Sequence, residues 1–232
     1  MIFISVTLLS VGCGVESGNE FLELPENITD SDILTSSSAD EPLGEIPDKT
    51  LADVSVRGRP YIDDSLGYNV IRSDIGTALR GVSLSFDGGD PYGSLPANLP
   101  SGEQLDRMVH QYGFNTLHVY LEGDASENPH PVGLNEELAD QLVARTREAK
   151  MYLIITVGNN GENGQIHSMD KTLAFWNLYG SKYRDETHVI YEAHNEPVAG
   201  INGNWTQEDW DKQAQMYQTI RNVAPDTMVL LG

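Results

Sequence analysis

Positive charge is what this chain has least of. Its 14 Lys and Arg face 35 Asp and Glu, for a formal charge of -21 and a pI near 4.4. So few cations could neutralise little of a phosphate backbone, which argues against a nucleic-acid partner. Such acidity suits a soluble protein working outside the cell on a neutral polymer. Cysteine is almost absent: Cys13 is the only one, so no intrachain disulfide can form. No cluster of His, Cys and Asp has metal-ligand spacing. Neither a phosphate loop with Lys-Ser or Lys-Thr nor a dinucleotide glycine fingerprint occurs, so neither a metal nor a cofactor is expected. Repeats at a solenoid period are missing too. What is present is enough chain, 232 residues, to bury a sizeable core.

Residues 1–13 hold a short apolar run, Met1 to Leu9, too short to cross a bilayer as a mature helix. The small residues Ser10-Val11-Gly12 then lead into Cys13. This resembles the cleavage box of a bacterial lipoprotein signal, in which the cysteine becomes the lipidated N-terminus. A plain secretory signal is the second reading, and a buried strand the third. The first two imply export, with any membrane contact made through a lipid on Cys13. From residue 14 to 50 the chain is acidic: ten carboxylates between Glu16 and Asp48 are opposed only by Lys49. With Ser36-Ser37-Ser38 and several prolines, this stretch has too little apolar surface to order itself and reads as a tether.

The third region, residues 51–232, alternates strands and helices. Val54–Arg59 and Tyr68–Arg72, around a Gly67 turn, read as a hairpin, and Leu79–Ser85 as a buried strand. Ser101-x-x-Gln104 is a capping-box signal, with Leu105, Met108, Val109 and Tyr112 at helical spacing behind it. Asn115–Tyr120 follows as a strand, then a helix from about Asn135, then the strand Tyr152–Val157. A third helix over about Lys171–Tyr183 precedes the strand at Val189. A fourth, about Thr206–Val223, carries Trp210, Ala214, Tyr217 and Arg221 along it and leads to Met228–Leu231. Such alternation with short turns predicts right-handed βαβ units and a parallel sheet.

The most informative segment is Val189-Ile190-Tyr191-Glu192-Ala193-His194-Asn195-Glu196-Pro197. It is a β-branched and aromatic strand that stops at a proline, with an Asn-Glu pair at its carboxyl end. In an α/β barrel that end of the strand is where catalytic groups sit. The segment resembles the acid/base strand of the cellulase-like glycoside hydrolases of family 5. The entry strand Leu79-Arg80-Gly81-Val82 and the Ile220-Arg221-x-x-x-Pro225 ending resemble that family as well. The resemblance runs from about Leu51 to Gly232. It implies a (β/α)8 TIM-barrel fold, represented here as if truncated after about strand five, since a complete barrel takes about 250 residues.

What the resemblance implies is retaining hydrolysis of a β-linked glucan or mannan, by double displacement, with Glu196 as acid/base. Asn195 would hold the sugar 2-hydroxyl. The nucleophile, on the family's seventh strand, is not expected within these residues. Glu192 shares a face with Glu196 by the period of two but lies deeper, and a structural hydrogen bond is the expectation for it. His194 falls between them. His118 stands where the family has an arginine, and Gly158-Asn159-Asn160-Gly161 where it has an Asp-x-His turn. His118, Asn159 and Asn160 are therefore candidates for substrate binding, although a Gly/Asn turn chosen for its backbone accounts equally for the last two. Trp205 is the candidate for stacking on a sugar, whereas Trp176, Tyr179 and Tyr183 read as core. The alternative from another class is a non-catalytic surface carbohydrate-binding protein on a degenerate barrel.

Overall fold

A computed structural model describes residues 56–84, 99–124, 133–159, 168–195 and 205–231. Five parallel strands lie side by side in chain order: β3 (Gly81–Leu84), β4 (Thr116–Asp124), β5 (Tyr152–Asn159), β6 (Val189–Glu192) and β7 (Val229–Leu230). They are joined through α1 (Gly102–His110), α2 (Glu136–Glu148), α3 (Met169–Phe175) and α4 (Gln207–Val223). An antiparallel pair, β1 (Tyr61–Asp63) with β2 (Val70–Arg72), precedes them. A doubly wound sheet reverses its strand order and carries helices on both faces. Here the order never reverses and the helices pack on one face, the arrangement of an α/β barrel.

Strand alternation sorts the sheet into two faces. Leu117, Val119 and Leu121, Leu153, Ile155 and Val157, and Val189, Tyr191 and Ala193 join one apolar core with Leu105, Val109, Leu142, Phe175, Trp176, Met216 and Ile220 of the helical layer. The other face begins with a smaller cluster of Tyr152, Ile154 and Ile190, flanked by Leu79, Met228 and Leu230. Gly81 lets β3 approach β4 closely: a Cβ there would lie 2.2 Å from the Thr116 carbonyl oxygen.

The helices start where their caps say. Ser101 and Gln104 close a capping box on α1, Asn135 caps α2 through the Leu138 N–H, and Thr206 and Asp209 close a second box on α4. Two expectations change. The hairpin's first arm is Tyr61–Asp63 rather than Val54–Arg59, of which residues 54 and 55 lie outside the described residues. Residues 57–59 run instead beneath the sheet: the fully buried Arg57 places Nη2 3.0 Å from Asp74 Oδ1 and lies over the Tyr152 ring. The Tyr152 hydroxyl donates to the Gly58 carbonyl at 2.9 Å, and burial pushes this phenol up to about 12. Those contacts satisfy a backbone that no ladder would.

The third helix is interrupted by a π-helical turn, Trp176–Gly180, before helical residues resume at Ser181 and Lys182. On α4 the residues facing the core are Asp209, Gln213, Met216 and Ile220, and Trp210 and Tyr217 are exposed. Residues 1–13 with Cys13, and the acidic stretch 14–50, lie outside the described residues.

Candidate active site

The polar inner face is assembled by strand register. Ser83 pairs with His118, His118 with Ile154, and Ile154 with Ile190; one step further on, Tyr120, Thr156, Glu192 and Leu230 are aligned. This brings Ser83, His118 and Glu192 into one chain of contacts. Ser83 Oγ is 3.1 Å from His118 Nδ1, and His118 Nε2 is 2.6 Å from Glu192 Oε2. His118 is buried, with the Tyr120 ring edge-on to it at 5.3 Å. Both ring nitrogens are thus engaged within the protein, so this imidazole acts by holding Glu192 rather than by offering a free nitrogen to a sugar. The structural hydrogen bond expected of Glu192 is present, and its donor is His118. Thr156, buried and next to Glu192 in register, has an Oγ1 without a protein partner among the described residues.

At the carboxyl end of β6 the chain leaves the ladder. Ala193 still donates its N–H to the Leu230 carbonyl at 3.0 Å. The buried His194 places Nδ1 2.8 Å from the Asn195 carbonyl oxygen, which fixes the turn ahead of the next residue. Asn195 is half-buried there. Glu196, the sequence candidate for acid/base, lies outside the described residues, as does Asn160. Asn159 is the last residue of β5 and pairs with Asp124 across a register shift in β4.

Trp205 sits just ahead of the α4 cap, and its ring stacks on Trp210, with centroids 4.5 Å apart and planes 25° from parallel. One face of the indole is therefore already covered. The cap that sets its position is well formed, since the Thr206 hydroxyl and N–H both donate to the Asp209 carboxylate and hold its pKa below the usual value. Trp176, Tyr179 and Tyr183 are buried core residues, as their helical spacing implied. Ser83 and Thr156 were not singled out from sequence. The only signal for them was their alternation with apolar neighbours, Val82 and Leu84 around Ser83 and Ile155 and Val157 around Thr156. No metal-holding group of His, Cys, Asp and Glu occurs among the described residues.

The family model for cellulase (glycosyl hydrolase family 5) matches residues 67–232, well over half of the chain. The chain belongs to glycosyl hydrolase family 5. Solved structures agree on the fold. A cellulase structure is 20% identical with a TM-score of 0.54, the alignment covering 77% of this chain and 55% of that one. The catalytic domain of the major endoglucanase from Xanthomonas campestris pv. campestris is 18% identical with a TM-score of 0.51, covering 74% and 56%. This family 5 chain thus spans little more than half the length of those structures. A search of curated proteins finds no significant match.

Proposed function

We propose that this family 5 chain carries the proton-donating part of a retaining hydrolase for a β-linked glucan or mannan. The observation that supports it best is β6. It is an interior strand of the parallel sheet, and Ala193-His194 link its carboxyl end to Asn195, which Glu196-Pro197 follow in the sequence. A barrel strand ending there carries its side chains to the face where α/β barrels keep their chemistry.

In this reading Glu196 protonates the glycosidic oxygen as the bond to the anomeric carbon breaks, and then deprotonates the water that releases the product. Asn195 holds the 2-hydroxyl, a contact that strengthens as positive charge develops on the ring. The second carboxylate must stand across the sugar, about 5–5.5 Å from the first. Glu192 does not fill that role, because it lies only four residues before Glu196 in the chain and is bound to His118. The nucleophile therefore belongs to another strand. His118 and Glu192 support the floor of the site rather than the sugar.

The test is hydrolysis of β-glucan and β-mannan by the native gene product and by its Glu196→Gln variant. On substrates with poor leaving groups the variant should lose about 10²–10⁴-fold in kcat. Unchanged turnover would sink the assignment. Binding of polysaccharide by the wild type, with no release of reducing sugar, would select the carbohydrate-binding alternative.

A further inference from the structure

The strand that leads to Asn195 is tied from outside the sheet by the π-helical turn that interrupts the third helix. Trp176 opens this turn and is fully buried. Its indole N–H donates to the Ala193 carbonyl at 2.9 Å. At the other end of the turn, the Gly180 carbonyl accepts the Tyr191 hydroxyl at 3.0 Å. Turn and strand therefore exchange two side-chain to backbone hydrogen bonds, and the Trp176 and Tyr191 rings pack between them at 5.3 Å. A π turn is a rare local insertion, costly unless other contacts hold it, and such turns gather at functional sites.

The two bonds differ in what else holds the backbone they reach. Tyr191 lies within the ladder, paired with Ile155 on one side and Val229 on the other. Ala193 comes one residue after Glu192, the last paired residue of β6. From Ala193 onward the path is set by local contacts: its N–H to Leu230, its carbonyl to Trp176, and the His194 ring on the Asn195 carbonyl. A buried indole N–H needs an acceptor, so removing this bond leaves Ala193 unconstrained on that side.

We propose that Trp176 is a positioning residue for the segment Ala193–Asn195, and through it for the adjoining Glu196. The inference rests on the hydrolase reading for its consequence in catalysis, but not for the tie itself. An acid that must sit within hydrogen-bond reach of one oxygen tolerates little displacement, since a misplacement of about 1 Å can cost on the order of 10²-fold.

The experiment compares Trp176→Phe with Tyr191→Phe in the native gene product. Each removes one hydrogen bond between the same turn and the same strand, so a purely structural role lowers both melting temperatures and separates nothing else. Positioning predicts that Trp176→Phe alone loses about 10- to 100-fold in kcat with KM little changed. Independently of activity, amide hydrogen exchange over Ala193–Asn195 should accelerate in Trp176→Phe and not in Tyr191→Phe. If the smaller ring prevents folding, benzothienylalanine at position 176 keeps the indole shape without the N–H. Equal kcat in the two variants, or unchanged exchange over Ala193–Asn195, overturns the proposal. Where the wild type hydrolyses nothing, kcat drops out of the comparison, and accelerated exchange over Ala193–Asn195 in Trp176→Phe alone upholds the tie and overturns the hydrolase reading instead.

Discussion

The two faces of the five-stranded sheet are made from alternate residues of the same strands, yet they do different work. The outer face is apolar along its length and merges with the helices into one core. The inner face is apolar at Tyr152, Ile154 and Ile190 and polar at Ser83 and His118, which are level with the two isoleucines in register, and at Thr156 and Glu192 one step further on. Burying apolar surface stabilises each outer position, whereas buried polar groups are close to neutral even when paired. The comparison teaches that stability is concentrated on one face, which leaves the other free to hold groups that contribute chemistry.

Leu117→Ala tests this most severely. Leu117 is fully buried on the outer face of β4, between β3 and β5. Truncation removes its transfer energy and leaves a cavity, for an expected loss of about 2–5 kcal/mol in urea melts. On the proposed hydrolase reading, turnover by the fraction that remains folded should be nearly normal. Next comes Glu192→Gln on the inner face, which replaces the charged partner of His118 while keeping an amide oxygen to accept from it. The expected stability loss is smaller, about 1.5–3 kcal/mol at most. On the same reading, turnover should here fall well below wild type in protein that is fully folded. If Leu117→Ala proved mild and Glu192→Gln unfolded the chain, the division of labour between the faces would be wrong.

Much of this division is legible in the amino-acid order. All five sheet strands and the four helices follow from alternation, caps and turn residues, because these signals are local. Ser101 with Gln104, Asn135 and Thr206 each start a helix at the expected place. The failures come from non-local causes. Arg57 looks like part of a strand, but it is drawn under the sheet by Asp74 and Tyr152, distant in sequence. On α4 the amino-acid order does not say which side faces the core; Asp209 and Gln213 take it, Asp209 because it closes the cap with Thr206, and Trp210 and Tyr217 are exposed. The π turn has no sequence signature, and its role emerges only when Ala193 and Tyr191 lie beside it. The Ser83–His118–Glu192 chain depends on register across four strands, β3 to β6, which a single sequence does not encode visibly.

The smallest effect sharpens the comparison from the outer side, where a buried histidine joins the apolar residues and tyrosines. His188 is buried at the start of β6, with Nε2 3.1 Å from the Val143 carbonyl oxygen and Nδ1 3.6 Å from Glu186. Burial lowers its pKa below the ordinary value of 6.5, and the contacts to Val143 and Glu186 offset this only in part. The unfolded chain therefore binds this proton more readily than the folded one, so stability rises with pH across the window just below 6.5 and falls as pH drops through it. In His188→Gln that contribution disappears, because glutamine does not titrate. Melting temperatures of wild type and variant, measured between pH 7.5 and 5.5, should converge as pH falls, with the wild type showing the steeper decline. Parallel curves would mean that His188 titrates alike in both states, and that the outer face tolerates a charge where its apolar character says it should not.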